Sequence, residues 1–213
     1  MSEPIRVVLA DDHNMVREAL ARILGDEAGI EVVAQARDGA EALEAVERQR
    51  PDVLVLDYSM PDHEPTRAIE GLRERHPELG VLVLTVHENV HYALRVLEAG
   101  ALGYLIKSAA ADELVEAIGA VRAGRIYLSS SISNEVLDRL RTPRGKRTGI
   151  ESLSAREFSL LRLLGSGKTL LQSANEMNVS VSTASTYRSR ILEKLSLDST
   201  AELIRFSLEH DLD

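Results

Sequence analysis

Five residues in this chain could do chemistry on an anion. Asp11 and Asp12 close the apolar run VVLADD, Asp57 closes DVLVLD, Thr85 closes GVLVLT and Lys107 closes LGYLIK. An ionised carboxylate taken out of water needs a partner. Acids at the end of a buried run therefore either mark its exit into solvent or hold a cation. Clustered carboxylates favour a hard cation, and Mg²⁺ takes oxygen ligands while keeping several waters. Asp12, Asp57 and one backbone carbonyl after Asp57 would suffice. Asp57 could then act as a nucleophile and form an aspartyl-phosphate. Lys107 would supply a point charge, and Thr85 a hydroxyl, to the phosphoryl oxygens. Each residue taken singly could equally be strand-end punctuation.

The elements that must position these residues are readable from periodicity. Short β-rich runs at 5–10, 30–36, 52–57, 80–85 and 102–107 alternate with stretches such as VREALARIL, DGAEALEAVERQR and ADELVEAIGAVRAG. These stretches have apolar residues at helical spacing. Strongly apolar strands alternating with helices predict a parallel sheet covered on both faces. Five such units within residues 1–124 predict a flavodoxin-like α/β domain with a five-stranded parallel sheet. In such sheets ligands bind beyond the carboxyl ends of the strands, and all five chemical residues fall on that edge.

Composition narrows the rest. The chain has no cysteine, so disulfides, thiolate chemistry and Cys-based zinc sites are excluded. The first residues, MSEPIRVV, have no leader character, and no apolar run approaches the roughly 20 residues of a membrane span. The expectation is a soluble, cytoplasmic protein with no membrane partner. The net charge of −9 is unevenly spread: residues 1–141 hold 15 Lys+Arg against 25 Asp+Glu, whereas 142–213 hold 10 against 9. An acidic first part and a near-neutral second part suggest divided labour.

Residues 125–152 read as a linker, with SNEVLDRLR as a short helix and TPRGKRTG as a basic turn-rich stretch. The 153–213 segment reads as a small all-α domain. Ser154 and Glu157 form an S-x-x-E capping box. A short helix from about Thr169 to Met177, a tight NVS turn and a third helix capped by Ser180 or Ser182 make a helix-turn-helix candidate. A fourth helix ends the chain. In the third helix Ala184, Ile191 and Leu195 take core spacing, while Ser185, Thr186, Ser189, Arg190 and Lys194 lie opposite. Hydroxyls suit base edges and cations suit phosphates. From pattern alone a four-helix protein-contact bundle is an equal reading.

Two resemblances rest on these residues. DD at 11–12, DYSMP at 57–61, LT at 84–85 and GYLIK at 103–107 resemble response-regulator receiver domains across residues 4–124. The resemblance implies Asp57 as phosphoacceptor from a sensor histidine kinase. Asp11, Asp12, Asp57 and the Ser59 backbone carbonyl would form the Mg²⁺ site. Thr85 and Tyr104 become switch residues beside Lys107, the Tyr104 ring rotating inward, and Ser59 and His87 tune phosphoryl lifetime. LSAREFSLL, GK at 167–168, STYRSRILEKL and AELIRF resemble the DNA-binding domain of NarL/FixJ-type (LuxR-type helix-turn-helix) response regulators. That resemblance places Ser185, Thr186 and Ser189 toward bases, with Ser182 and Thr183 at the helix start, and puts Arg188, Arg190 and Lys194 among the phosphate-binding or helix-stabilising set. It implies a homodimer on promoter DNA through the last helix, near 199–209. Together they imply a phosphoacceptor regulator of transcription rather than an enzyme, one that at most takes phosphate from small donors and loses it unaided.

Three departures stand out. After MP the chain runs DHEP, with Pro65 where a Gly is usual, which leaves open a regulator largely independent of phosphorylation. Gln172-Ser173-Ala174 puts a hydroxyl at an apolar position, and Ser182 replaces a common Lys. An aspartate-nucleophile phosphotransferase is the enzymatic rival, but Ser59 stands where its second acid belongs. His87 and His91, four apart, have zinc-compatible spacing, or are simply two exposed helix residues.

Overall fold

The computed structural model describes residues 3–60, 65–108, 111–141 and 148–212. The chain divides into two compact units, Met1–Leu137 and Asp138–Asp213.

The first unit is one parallel sheet clothed in helices. Among the described residues the strands are β1 (Ile5–Ala10), β2 (Ile30–Ala36), β3 (Val53–Asp57), β4 (Gly80–Thr85), β5 (Gly103–Ile106) and β6 (Tyr127–Leu128), in spatial order β2-β1-β3-β4-β5-β6. Five coincide with the apolar runs. The sixth corrects the five-stranded expectation and lies in the stretch read as linker. Two residues are too few to show a strand period, and backbone pairing holds them: Tyr127 N–H donates to the Leu102 carbonyl at 2.9 Å and Ser129 N–H to Tyr104 at 3.0 Å.

The helices are α1 (Asn14–Gly25), α2 (Gly39–Gln49), α3 (Pro65–Arg75), α4 (Val90–Ala99) and α5 (Ala111–Arg122). β3 and β4 are buried at every position, as strands covered on both faces must be. Val7, Leu9, Val53, Val55, Leu82, Leu84 and Leu105 pack with Leu24, Leu114, Ile118 and Val121. Each such side chain contributes about 1.5–3 kcal/mol on burial. Gly103 lets β5 enter this core: a Cβ there would lie 2.5 Å from Leu82 Cδ1 and 3.1 Å from Val121 Cγ2. Pro65 opens α3, where its missing N–H costs nothing. Asp62, His63 and Glu64 of the DHEP departure lie outside the described residues.

A helix α6 (Ser133–Leu140) follows, as expected for SNEVLDRLR; most of the TPRGKRTG stretch, residues 142–147, lies outside the described residues. The second unit packs α7 (Ala155–Gly165), α8 (Leu170–Glu176), α9 (Val181–Leu195) and α10 (Thr200–Glu209). Phe158, Leu160, Leu161, Leu164, Ala174, Ala184, Ile191 and Leu203 are its buried centre; Leu195 is only half-buried.

Candidate functional site

The strand order reverses between β1 and β3, and ligands bind in the crevice at the carboxyl ends there. Asp11 follows β1 and Asp57 ends β3, so both carboxyls meet at that point. They are buried, Asp57 to 1 % exposure. Lys107, just past β5, reaches across with Nζ 2.8 Å from Asp11 Oδ2 and 2.8 Å from Asp57 Oδ2. Burial pushes the Asp57 carboxyl above the ordinary range and outweighs the hydrogen bond and charge of Lys107. Burial pulls Lys107 down, but its bonds to Asp11 and Asp57 prevail and raise it. Ser59 N–H donates to Asp57 Oδ1 at 3.2 Å.

The cluster has a member that the sequence reading missed. His13 Nδ1 sits 2.9 Å from Asp12 Oδ1 and 3.5 Å from Asp11 Oδ1. One donor atom from each of Asp11, Asp12, His13 and Asp57 falls within a 4.8 Å span. Three carboxylates against the single Lys107 leave two negative charges, which suits a divalent cation. The three carboxylates of this set fit the implied Mg²⁺. The signal for His13 was its adjacency to Asp12 in the DDH triplet. Arg17, one helical turn on, was also missed; it donates to the Asp11 carbonyl at 2.6 Å and to Asn14 Oδ1 at 2.6 Å, locking the loop. His87 and His91 join no group of three or more metal-capable residues among the described residues.

Thr85 is fully buried at the end of β4, and its Oγ1 accepts from His87 N–H at 3.0 Å. The Tyr104 hydroxyl donates to the His87 carbonyl at 2.8 Å. Tyr104 is fully buried. Burial raises its phenol far above the ordinary value. The His87 ring stacks on Tyr92 at 4.7 Å between centroids, and Tyr58 meets Tyr92 edge-on at 5.0 Å. This aromatic group spans residues 34 positions apart, so spacing gave no hint of it.

In the second unit one capping box follows the sequence reading and a second was missed by it. Ser154 and Glu157 make their reciprocal capping box, and Thr169 with Gln172 makes another on α8. Gln at this position serves as well as Glu. The Ser173 hydroxyl donates to the Thr169 carbonyl at 3.0 Å, which satisfies it inside the core. Asn178, with φ of 52°, turns the chain between α8 and α9, a conformation Asn tolerates. Ser180, not Ser182, caps α9 through the Thr183 N–H. Ser182, Thr186, Ser189 and Arg190 are exposed on α9, while Thr183, Ser185 and Arg188 are half-buried. Thr186 and Ser189 hydroxyls donate back to the Ser182 and Ser185 carbonyls, both at 3.1 Å. Lys194 Nζ is 2.6 Å from Glu157 Oε2 and 3.0 Å from the Ser152 carbonyl. Of its two expected roles, phosphate contact and helix support, this geometry favours the second. Burial would raise Glu157, but Lys194 and the Ser154 bonds outweigh it and hold the carboxyl low.

Comparison with known proteins agrees with both halves. Residues 7–119 match the response regulator receiver domain family, and residues 151–207 match the family of bacterial regulatory proteins, luxR family. Response regulator GacA of Pseudomonas viridiflava is 35% identical over 98% of this chain and 97% of its own. The oxygen regulatory protein NreC of Staphylococcus epidermidis is 35% identical over 98% and 99%. RcsB from Salmonella enterica serovar Typhimurium, solved bound to promoter rprA in the presence of phosphomimetic BeF3-, covers 96% of this chain and 98% of its own. At a TM-score of 0.74 and 24% identity, that likeness shows the shared fold.

Proposed function

Because this chain belongs to the DNA-binding two-component response regulators of the LuxR family, we propose that it is a transcriptional switch thrown by phosphorylation of Asp57. The observation that carries the reading is the meeting of buried Asp57 with Lys107 Nζ at 2.8 Å, on an edge shared with Thr85 and Tyr104. The donor is the phosphohistidine of a sensor histidine kinase. An Asp57 carboxylate oxygen attacks phosphorus, the new O–P bond forms, and the N–P bond breaks with its electron pair leaving on the imidazole. Asp11, Asp12, Asp57 and the Ser59 carbonyl would hold Mg²⁺, which when bound would offset the charge of the incoming phosphoryl group. Lys107 contacts a phosphoryl oxygen, and the Thr85 hydroxyl donates to another. Ser59 and His87 bracket the path of attacking water and set the lifetime of the phosphoryl group.

Phosphorylation adds charge and acceptor oxygens. It draws Thr85 toward the phosphoryl group and fixes the Tyr104–His87 bond, a shift between two packed arrangements. The receiver comprises residues 1–124, the linker 125–152 and the DNA-binding domain 153–213. On DNA two copies pair through α10, whose Leu208 is exposed, and each lays α9 in a major groove. Ser182, Thr183, Ser185, Thr186 and Ser189 face bases, and Arg188 and Arg190 face phosphates.

The test is intact mass after incubation with acetyl phosphate and Mg²⁺, for wild type and Asp57→Ala, with sizing and duplex-DNA binding on the same samples. A phosphoryl adduct on wild type alone, with tighter DNA binding, is expected. Equal DNA binding with and without the adduct would overturn the switch.

A further inference from the structure

The metal site holds one donor that is not an oxygen. Asp11, Asp12 and Asp57 lie at the carboxyl ends of β1 and β3, and His13 Nδ1 completes the group within the 4.8 Å span. A first-row divalent ion with bonds of about 2.0–2.2 Å separates opposite ligands by about 4.2 Å. The 4.8 Å span of the four donor atoms is close to that separation.

His13 is placed for this. Its backbone N–H is pinned by Asp11 Oδ1 at 2.8 Å, so the Cα is fixed beside the acids. Its side chain is 64% exposed, and among the described residues its ring nitrogen faces Asp11 and Asp12. The ring can therefore exchange a carboxylate partner for a cation without disturbing the core. It is also the N-cap of α1 and gives no side-chain cap bond there, so capping does not explain the residue.

We infer that His13 is a ligand of the receiver metal and sets its selectivity, favouring an imidazole-accepting first-row ion over Mg²⁺. The inference rests on the reading that Asp11, Asp12 and Asp57 hold a divalent cation. Mg²⁺ is hard, keeps its waters and gains little from a nitrogen donor. Co²⁺ and later first-row ions bind imidazole with rising affinity. A site of three carboxylates alone discriminates by charge and size, whereas an added imidazole discriminates by ligand chemistry. His13 thus separates this site from an all-oxygen one.

The test compares Co²⁺ and Mg²⁺ binding by calorimetry in the full chain, wild type and His13→Asn. Asn is a favoured N-cap residue, so the variant keeps α1. Proton NMR of the Co²⁺ form supplies a second readout, since a ligating imidazole shows a strongly shifted exchangeable N–H. Wild type is expected to show that signal, and His13→Asn to lose it with about a tenfold weaker Co²⁺ affinity and unchanged Mg²⁺ affinity. Unchanged Co²⁺ affinity without the signal, with both ions still lost in Asp12→Asn, would make His13 only a hydrogen-bond partner of Asp12 and overturn the inference alone. Failure of both ions to bind wild type would overturn the cation reading itself.

Discussion

The Tyr104 hydroxyl donates to the backbone carbonyl of His87 at 2.8 Å, while His87 N–H donates to Thr85 Oγ1 at 3.0 Å. One loop residue therefore joins the β5 aromatic to the β4 hydroxyl through its two backbone groups. Tyr104→Phe removes only the first link, at a stability cost of about 1 kcal/mol. The expected result is a normal phosphoryl adduct by intact mass, with the phosphorylation-linked gain in DNA binding reduced several-fold. A full gain in the Phe variant would separate Tyr104 from the switch.

Asp57 carries a stability signature of its own. Its carboxyl is raised in the fold, chiefly by burial, so the folded state holds this proton more tightly than the unfolded chain does. Its contribution to stability is present below the ordinary carboxylate value and is lost as pH rises through the folded one. At pH 7 without divalent metal, Asp57→Asn is expected to stabilise the chain by about 1 kcal/mol, or about 2–4 °C in Tm. Melts in EDTA down the pH scale check it, because the advantage must vanish in acid. A variant less stable than wild type at pH 7 would mean that the Lys107 pair outweighs desolvation.

Ser129 closes the edge that β6 begins. Its Oγ accepts from Ile106 N–H at 3.0 Å, one residue before Lys107, and both groups are buried. Ser129→Ala leaves that N–H without its acceptor, which costs about 1–3 kcal/mol. Faster exchange of the Ile106 amide, with β1 and β3 amides unchanged, is the expected outcome.

What the sequence made readable follows from the range over which each interaction acts. β1, β3 and β4 announced themselves because buried parallel strands are continuous apolar runs, and their last residues named Asp57 and Thr85 directly. The cap at Ser154 is local, three residues long, and equally plain. β6 stayed hidden because two residues carry no period and its partner, β5, lies more than twenty positions away. The Tyr58–Tyr92–His87 group and the Lys194–Glu157 pair were hidden for the same reason: packing joins residues that spacing cannot. His13 was different, since it stood beside Asp12 in plain view and was passed over for the acids.

Glu157 links pH to the second unit with the opposite sign to Asp57. Its carboxyl is held low by Lys194 and Ser154 against the cost of burial. The stabilisation is present above the unfolded value and is lost as pH falls through the folded one. Glu157→Gln preserves the capping box but not the ion pair. Amide exchange in α7 and α9 should show the variant less protected at pH 7, with the difference closing in acid. Parallel curves for the two proteins would remove the ion pair from the account.

The same pair divides the cations of α9 by what they can do on DNA. Arg190 is exposed, with no ion pair among those of the described residues, whereas Lys194 already faces Glu157 at 2.6 Å, and Glu157 has only 3% of its side chain exposed. Moving Lys194 to a phosphate would strand a buried carboxylate, which costs more than a solvated phosphate contact returns. Each phosphate contact adds about 0.9 to the slope of log affinity against log salt. Arg190→Ala is therefore expected to weaken binding to every duplex and lower that slope by about one. Lys194→Gln should lower thermal stability and leave the slope unchanged. Binding isotherms at four salt concentrations distinguish them: a slope reduced by one in Lys194→Gln would place this lysine on the DNA and require Glu157 to find another partner in the complex.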